Sequence, residues 1–215
     1  MPYSGLTDFI ARLDHAGELH RTNAFADPVL EIAEITDRIV KTGGKALLFE
    51  NNGTRFPLLM NAYGSEKRLS MALGTKDISE TGRELEKIFN MLTGSGDLNS
   101  KRINSLPHLL RIAGYLPHRT RRRGKCQQII HNKPDLSILP VLKCWPYDGG
   151  RFITLPVVHT CHPVTGKTNA GMYRMQVFGP DTAGMHWHRH KTGANHYEEW
   201  KKTGKKMPVS VSLGG

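Results

Sequence analysis

Hydrophobic positions in the first part of the chain recur at helical spacing. Two amphipathic helices are predicted near the N-terminus, the first capped by Thr7 and ended by Gly17. The second begins at Asp27-Pro28 and ends at Gly43-Gly44. Their apolar side chains repeat every three or four residues, which indicates one buried face on each helix. These side chains are Phe9, Ile10, Leu13, Leu30, Ile32, Ile35, Ile39 and Val40.

Two strands and two more helices are predicted to follow. The apolar runs ALLF (46–49) and PLLMNAY (57–63) are separated by turn residues, which is typical of short strands. Helices are predicted over 66–73 and 79–92, and an apolar stripe on the second is expected to lie in the core. The stripe consists of Leu85, Ile88, Phe89 and Leu92. Residues 93–117 are predicted to be a connection.

Beyond this connection the pattern changes to short β-rich segments separated by turn residues, which favours a barrel or a sandwich. The segments are QQIIH (127–131), LPVLKC (139–144), RFITLPVVHT (151–160), GMYRMQVF (171–178) and PVSVSL (208–213). We therefore predict an α/β N-terminal domain over residues 1–115 and a β-rich domain over 116–215. The chain ends on a strand-like run, and an unpaired final strand would be an exposed edge. We expect the sequence to be a piece of a longer one.

The charge of the chain is strongly basic. Thirty lysines and arginines against 19 aspartates and glutamates give a formal net charge of +11, concentrated in RTRRRGK (119–125) and KKTGKK (201–206). Such runs are typical of nucleic-acid binding, of a solvated basic face, or of a surface for phosphate-bearing small molecules. No zinc-finger spacing or RNP-type aromatic signature accompanies them, so no nucleic-acid partner is predicted.

Cysteine usage and hydropathy indicate the compartment. No run of about 18 apolar residues occurs, so no transmembrane helix is predicted. Residues 1–17 lack the unbroken apolar core of a signal peptide. The three cysteines, Cys126, Cys144 and Cys161, have no metal-type spacing, so a reduced, cytoplasmic setting is expected.

The segment NAGMYRMQVFGPDTAGMHWHRHK (169–191) concentrates candidate chemistry. The amide oxygen of Asn169 suits a hard cation such as Mg²⁺ or Mn²⁺, and a neutral imidazole from His186 or His188 suits Mn²⁺ as well as Zn²⁺. Arg174 offers a planar fork for a phosphate or a carboxylate. The segment predicts either a metal-plus-anion site or a basic strand with solvated histidines.

Strand geometry limits how these groups can meet. Strict alternation would place Asn169 and Arg174 on opposite faces of one strand. Both can reach one ligand only if Gly171 carries a bulge, or if Asn169 lies in the loop before the strand.

Several longer stretches resemble the N-terminal part of the UbiD-like decarboxylases, which depend on prenylated flavin mononucleotide (FMN). The stretches are GGKALLFEN (43–51), CQQIIHNKPDLSILPVLKCWPYDGGRFITLPVVHT (126–160), NAGMYRMQVFG (169–179), MHWHRHKTGA (185–194) and MPVSVSLGG (207–215). The likeness covers nearly all 215 residues. It is greatest to bacterial decarboxylases that act on polyprenyl-hydroxybenzoates or menaquinone precursors.

The resemblance implies a site residue by residue. Asn169 matches an asparagine that coordinates a divalent cation, usually Mn²⁺, at the flavin phosphate, and His186 matches a histidine metal ligand of some relatives. Arg174 matches the arginine of a catalytic Arg–Glu network. Further cofactor contacts are implied for Met172, Tyr173, Arg174, Trp187, His188, Lys191 and Thr192. K⁺ is a candidate second cation. His190 and His196 match no assigned role and are expected to be solvated.

The implied activity is nonoxidative decarboxylation of an aromatic acid, as part of a longer enzyme of quinone biosynthesis. Prenylated FMN supplies a sink for the electrons left when CO₂ departs. The implied fold of residues 116–215 is the first part of a split β-barrel that binds flavin. The full-length form is expected to be a homo-oligomer without a membrane span, with peripheral membrane contact as an option for a lipophilic substrate.

The resemblance also implies missing parts. The relatives are more than twice as long, and their third metal ligand, a glutamate, and their catalytic acids lie beyond residue 215. Glu198 and Glu199 do not replace them and are expected on a helix surface. These 215 residues alone are therefore expected to be inactive. Two alternatives remain, namely a short protein that binds flavin phosphate or a partner, and a basic nucleic-acid-binding protein.

Overall fold

A computed structural model describes residues 3–93 and 124–213. Its α-helices are α1 (Leu6–His15), α2 (Glu31–Lys41), α3 (Glu66–Leu73), α4 (Ile78–Thr93) and α5 (Thr192–Lys202). Its strands are β1 (Leu19–Thr22), β2 (Ala46–Phe49), β3 (Leu58–Met60), β4 (Arg151–Ile153), β5 (Val157–Cys161), β6 (Thr168–Met172), β7 (Met175–Val177), β8 (Ala183–Met185) and β9 (Ser210–Ser212). Short 3₁₀ turns cover Lys125–Gln127 and Leu136–Ile138. No helix among the described residues has the length and apolar character needed to cross a membrane.

The N-terminal sheet has the order β1-β2-β3 and is mixed. β1 and β2 run parallel with Leu19 opposite Ala46, whereas β2 and β3 are antiparallel with Leu48 opposite Leu59. All four residues of β2 are buried, as expected for a central strand with covered faces. The core here consists of Ala26, Ile32, Leu47 and Phe49, packed by Ile35, Ile39, Leu58, Met60 and Leu142.

The start of α2 differs from the sequence prediction. The helix begins at Glu31, and its N-cap residue, Leu30, has a φ of 73°. Asp27 instead shapes the turn before the helix, because its carboxylate accepts from the Val29 amide at 2.7 Å while its own amide donates to Glu31 Oε2 at 2.7 Å. Thr7 likewise lies inside α1 and does not cap it, since the N-cap is Gly5.

The second half contains two small antiparallel sheets, with orders β4-β7-β8 and β6-β5-β9. They do not form a closed barrel within the described ranges. The segment 127–131 forms no strand, and 139–144 contributes only isolated bridges at Leu142 and Lys143. The mixture of helices and small β-sheets is therefore confirmed, and the split barrel stays a prediction.

Of the described residues, those up to Arg68 and those from Pro134 onward form one compact unit, and those between them form another. Within the first unit, Lys143 joins the two halves of the chain. Its amide donates to Pro28 O at 3.1 Å, and its carbonyl accepts from the Leu30 amide at 2.9 Å. The predicted domain boundary at residue 115 and most of the predicted connection lie outside the described residues.

Candidate functional site

The hairpin β5–β6 and helix α5 form the framework of the candidate site. β5 and β6 pair with Val158 opposite Gly171 and Thr160 opposite Asn169. Helix α5 packs on this hairpin through two polar contacts. Thr160 Oγ1 lies 2.9 Å from His196 Nδ1, and Trp200 Nε1 donates to Cys161 O at 2.7 Å.

The chain passes from one sheet to the other between Asn169 and Arg174, the two residues that strict alternation would have placed on opposite faces of one strand. β6 ends at Met172, and β7 begins at Met175 in the other sheet. The register at Gly171 is continuous and Asn169 lies within the strand, so neither a bulge nor a loop position occurs. The reading of residues 171–178 as one strand is therefore wrong. Tyr173 and Arg174 lie at the crossing, where strand alternation does not apply.

Tyr173 connects the hairpin to α5. Its ring is buried, with 6% exposure, and packs edge-on against Trp187 with centroids 4.8 Å apart. Its hydroxyl oxygen accepts from Asn169 Nδ2 at 3.3 Å and from the Gly193 amide at 2.9 Å. The candidate cation ligand and the first turn of α5 are therefore joined through one side chain.

Two glycines make this packing possible. A Cβ on Gly193 would lie 2.3 Å from the Trp187 ring and 2.9 Å from Tyr173 Cζ, and a Cβ on Gly171 would lie 2.7 Å from Tyr173 Cε2. Such distances are far inside van der Waals contact. Gly171 thus admits the Tyr173 ring.

Arg174 is exposed and held by its neighbours. Its guanidinium carbon lies 4.4 Å from the centroid of the Phe152 ring, a cation–π contact. The same ring meets His186 edge-on at 5.6 Å, and the His186 amide donates to Arg174 O at 3.0 Å. Among the described residues no carboxylate forms an ion pair with Arg174. Burial, followed by the charge of Asp148, raises the pKa of the nearby Cys144 thiol, and Arg174 opposes this effect.

The segment between β8 and α5 is basic and exposed. His186, His188, Arg189, His190 and Lys191 are all exposed, and no acidic residue lies in the first turn of α5. The Gly193 amide donates to Tyr173, whereas the amides of Thr192 and Ala194 have no acceptor among the described residues. Exposed cations and free helix N-terminal amides together favour an anion.

The donor set fits a cation in part. Asn169 Nδ2 donates to Tyr173, which leaves its oxygen available as a ligand. The ring nitrogens of His186 have no hydrogen-bond partner within the described ranges. The same ranges contain no group of three His, Cys, Asp or Glu side chains that could hold a metal ion. The chain therefore offers two candidate ligands, and the rest of a metal shell would have to come from elsewhere.

The expectation that His196 is solvated is wrong. His196 is 4% exposed, and burial followed by the charge of His162 lowers its pKa. The rings of the two histidines meet edge-on at 5.6 Å. Glu198 and Glu199 lie on α5 and pair with Lys201 and Lys202, as expected for a helix surface.

The structure arranges the predicted site residues in three groups. Asn169, Tyr173 and Trp187 form one contact group with Gly193, and Arg174 and His186 form another with Phe152. The third group is the exposed segment of His188, Lys191 and Thr192. Met172, 65% exposed, lies at the end of β6 opposite Val157. Sequence reasoning missed Gly193 and Phe152, although helical spacing places Gly193, His196 and Trp200 on one face.

Comparison with known proteins identifies the family. The sequence model of the 3-octaprenyl-4-hydroxybenzoate carboxy-lyase N-terminal domain matches residues 10–88. The model of the Rift-related domain of the same carboxy-lyase, UbiD, matches residues 118–215. An uncharacterized protein of Aquifex aeolicus (strain VF5) is 44% identical over 217 residues, covering 99% of this chain and 44% of the relative.

Solved structures show the same fold at lower identity. Vanillic acid decarboxylase of Sedimentibacter hydroxybenzoicus in closed form gives a TM-score of 0.76 at 22% identity, covering 99% of this chain and 43% of that one. An evolved dimeric form of the UbiD-class enzyme HmfF from Pelotomaculum thermopropionicum in complex with prFMN gives 0.73 at 22% identity, covering 99% and 44%. This chain spans less than half the length of these relatives. Because both domain models match this sequence and the fold is shared, the chain belongs to the UbiD family of carboxy-lyases.

Proposed function

We propose that this chain forms the cation- and phosphate-binding side of a prenylated-FMN site, in an enzyme that removes CO₂ from an aromatic acid without oxidation. The observation that carries the proposal is the Tyr173 hydroxyl, which joins Asn169 to the first turn of α5. Membership of the UbiD family supports the reaction class. The likeness to HmfF bound to prFMN and to vanillic acid decarboxylase supports the cofactor and the kind of substrate.

The phosphate end of the cofactor is assigned to the cation and to α5. Asn169 Oδ1 and a His186 ring nitrogen would hold Mn²⁺, a cation that accepts oxygen and imidazole ligands. The phosphate would be bound by the free amides in the first turn of α5 and by the side chains of His188, Lys191 and Thr192. K⁺ would be a second cation. Met172 and Trp187 complete the proposed cofactor contacts. Part of the +11 charge is thereby explained without nucleic acid.

Arg174 is assigned to the substrate. When bound, prenylated FMN supplies the electron sink that loss of CO₂ requires. The guanidinium fork binds a carboxylate through two hydrogen bonds, and its contact with Phe152 holds it in place beforehand. The proton donor would come from acidic residues outside this chain, in strands that complete a split barrel. We further propose that the full-length enzyme is a homo-oligomer and acts in quinone biosynthesis, on a polyprenyl-hydroxybenzoate or a menaquinone precursor.

Release of CO₂ from a panel of aromatic acids tests this function. The protein is a polypeptide of the relatives' length that contains these residues, supplied with prenylated FMN and Mn²⁺. We expect turnover that falls at least about a hundredfold in Arg174→Ala, the scale of a lost catalytic interaction. Arg38→Ala is the matched control, because Arg38 is exposed on α2 and pairs with Glu34. Absence of CO₂ release from every acid, or equal turnover in Arg174→Ala, would refute the assignment.

A further inference from the structure

We propose that Tyr173 is a positioning residue for the cation, which it orients through Asn169, and that its hydroxyl does not itself contact the cofactor. This inference rests on the proposed function, since it concerns the same site. It differs from the resemblance, which places Tyr173 among the direct cofactor contacts. The hydroxyl is turned inward to two protein donors, Asn169 Nδ2 at 3.3 Å and the Gly193 amide at 2.9 Å.

The hydrogen bond to Tyr173 decides which end of the Asn169 amide is available. An asparagine side chain presents a donor at one end and an acceptor at the other, and only the oxygen can bind a cation. With Nδ2 held by Tyr173, Oδ1 accepts nothing from the described residues. Asn169 is half-buried on β6, so fixing its amide in advance removes an ordering cost that binding would otherwise incur.

The Tyr173 ring is itself fixed. It is 6% exposed, packs edge-on against Trp187 at 4.8 Å, and fills the space that a Cβ on Gly171 or Gly193 would occupy. A ring held on three sides gives its hydroxyl a defined place. The hydroxyl oxygen also lies 3.1 Å and 2.9 Å from the two Cβ positions, but ring carbons lie at the same distance or closer. Tyr173→Phe therefore removes the acceptor and keeps the contacts of the ring.

The same hydroxyl sets the distance between the proposed cation site and the proposed phosphate site. Asn169 lies on the hairpin and Gly193 lies in the first turn of α5, so one oxygen atom fixes the cation ligand relative to the amides of Thr192 and Ala194. A cation and a phosphate bound side by side require this separation to be constant. Loss of the hydroxyl should therefore weaken the binding of the cation, the binding of the phosphate and the coupling between the two.

The experiment is Tyr173→Phe in the chain as it stands, with Tyr147→Phe as the matched control because Tyr147 is fully exposed. The Asn169 side-chain amide and the Gly193 backbone amide are followed by ¹⁵N NMR, and Mn²⁺ affinity is measured by electron paramagnetic resonance. We expect both amide signals to shift and the Mn²⁺ dissociation constant to rise about three- to tenfold, the usual effect of one lost hydrogen bond. Tyr147→Phe should change neither quantity.

A second variant separates positioning from a general loss of structure. If Tyr173 acts through Asn169, removing its hydroxyl in an Asn169→Ala background should cause no further loss of Mn²⁺ affinity. An additive loss would overturn the inference, as would Tyr173→Phe with unchanged amide signals and unchanged affinity.

A measurement on the unsubstituted chain covers the case in which Tyr173→Phe fails to fold. The Asn169 side-chain amide should exchange its hydrogens more slowly than that of Asn195, which is exposed on α5. Equal exchange rates would overturn the inference. If the unsubstituted chain binds neither Mn²⁺ nor FMN, the proposed function fails, while the amide signals still decide whether Tyr173 holds Asn169.

Discussion

At the residue scale, Gly193 contributes both a hydrogen bond and the space for a neighbouring ring. Its amide donates to Tyr173, and its missing side chain leaves room for the Trp187 ring. In most helices alanine would be the better residue by about 1 kcal/mol. Here a Cβ would lie 2.3 Å from Trp187, so packing outweighs helix propensity.

Gly193→Ala should therefore destabilise the protein. Overpacking in a filled site costs about 1–3 kcal/mol, and contact with both the Tyr173 and the Trp187 ring favours the upper part of that range. Chemical denaturation measures the free energy of unfolding. Gly179→Ala is the matched control, because a Cβ there meets nothing within 4 Å, and its effect should stay within about 0.5 kcal/mol. A Gly193→Ala variant as stable as the unsubstituted chain would show that this packing is wrong.

At the scale of elements, a buried histidine joins α5 to β5. His196 faces the Thr160 hydroxyl and the His162 ring. Burial, followed by the charge of His162, lowers the pKa of His196 from its ordinary value of about 6.5. Protonation therefore weakens the attachment of the helix that carries the proposed phosphate site.

Acidification should lower the free energy of unfolding through His196. The unfolded chain takes up a proton near pH 6.5 and the folded chain takes it up only at lower pH, so stability is lost as pH falls from about 6.5 through the lowered pKa. The slope from one histidine is at most about 1.4 kcal/mol per pH unit. His196→Gln should flatten the pH dependence of the free energy of unfolding, and His20→Gln, at an exposed position of β1, should not. An unchanged slope in His196→Gln would contradict the contact.

Elements whose pattern reflects local burial could be predicted from the sequence. β2 and α3 have the predicted bounds, and in β2 a buried apolar run specifies them. The run QQIIH forms no strand, and Ile129 and Ile130 are 77% and 63% exposed. Periodicity shows which residues suit a strand, but it does not show whether a partner strand lies beside them.

The candidate site required tertiary information that periodicity lacks. Residue types indicated Asn169, Arg174 and His186, but strict alternation along one strand would place Asn169 and Arg174 on opposite faces. The chain instead leaves its sheet at Tyr173, whose ring and hydroxyl are held by Trp187, Asn169 and Gly193. Contacts between residues 20 positions apart, such as Gly193 with Tyr173, leave no periodic trace in the sequence.

At the scale of the whole molecule, the proposed function gives this chain one side of a site. Arg174 has no carboxylate partner among the described residues, and those residues supply two candidate cation ligands. The chain spans 44% of its Aquifex relative, so the reaction is proposed for the longer enzyme. We propose that binding of the cation and of the flavin phosphate is the part of the function that these residues contribute.

Coupled binding of Mn²⁺ and FMN tests this central claim most directly. FMN, which has the phosphate of the prenylated cofactor, is titrated into the chain with and without Mn²⁺ while flavin fluorescence is followed. Binding should be weak but several-fold tighter with Mn²⁺, because a shared site couples the two ligands. Asn169→Ala should abolish that gain, and Asn23→Ala, at an exposed position away from the site, should retain it. An FMN affinity that does not depend on Mn²⁺ would contradict the account. So would an increase in FMN affinity with Mn²⁺ that persists in Asn169→Ala.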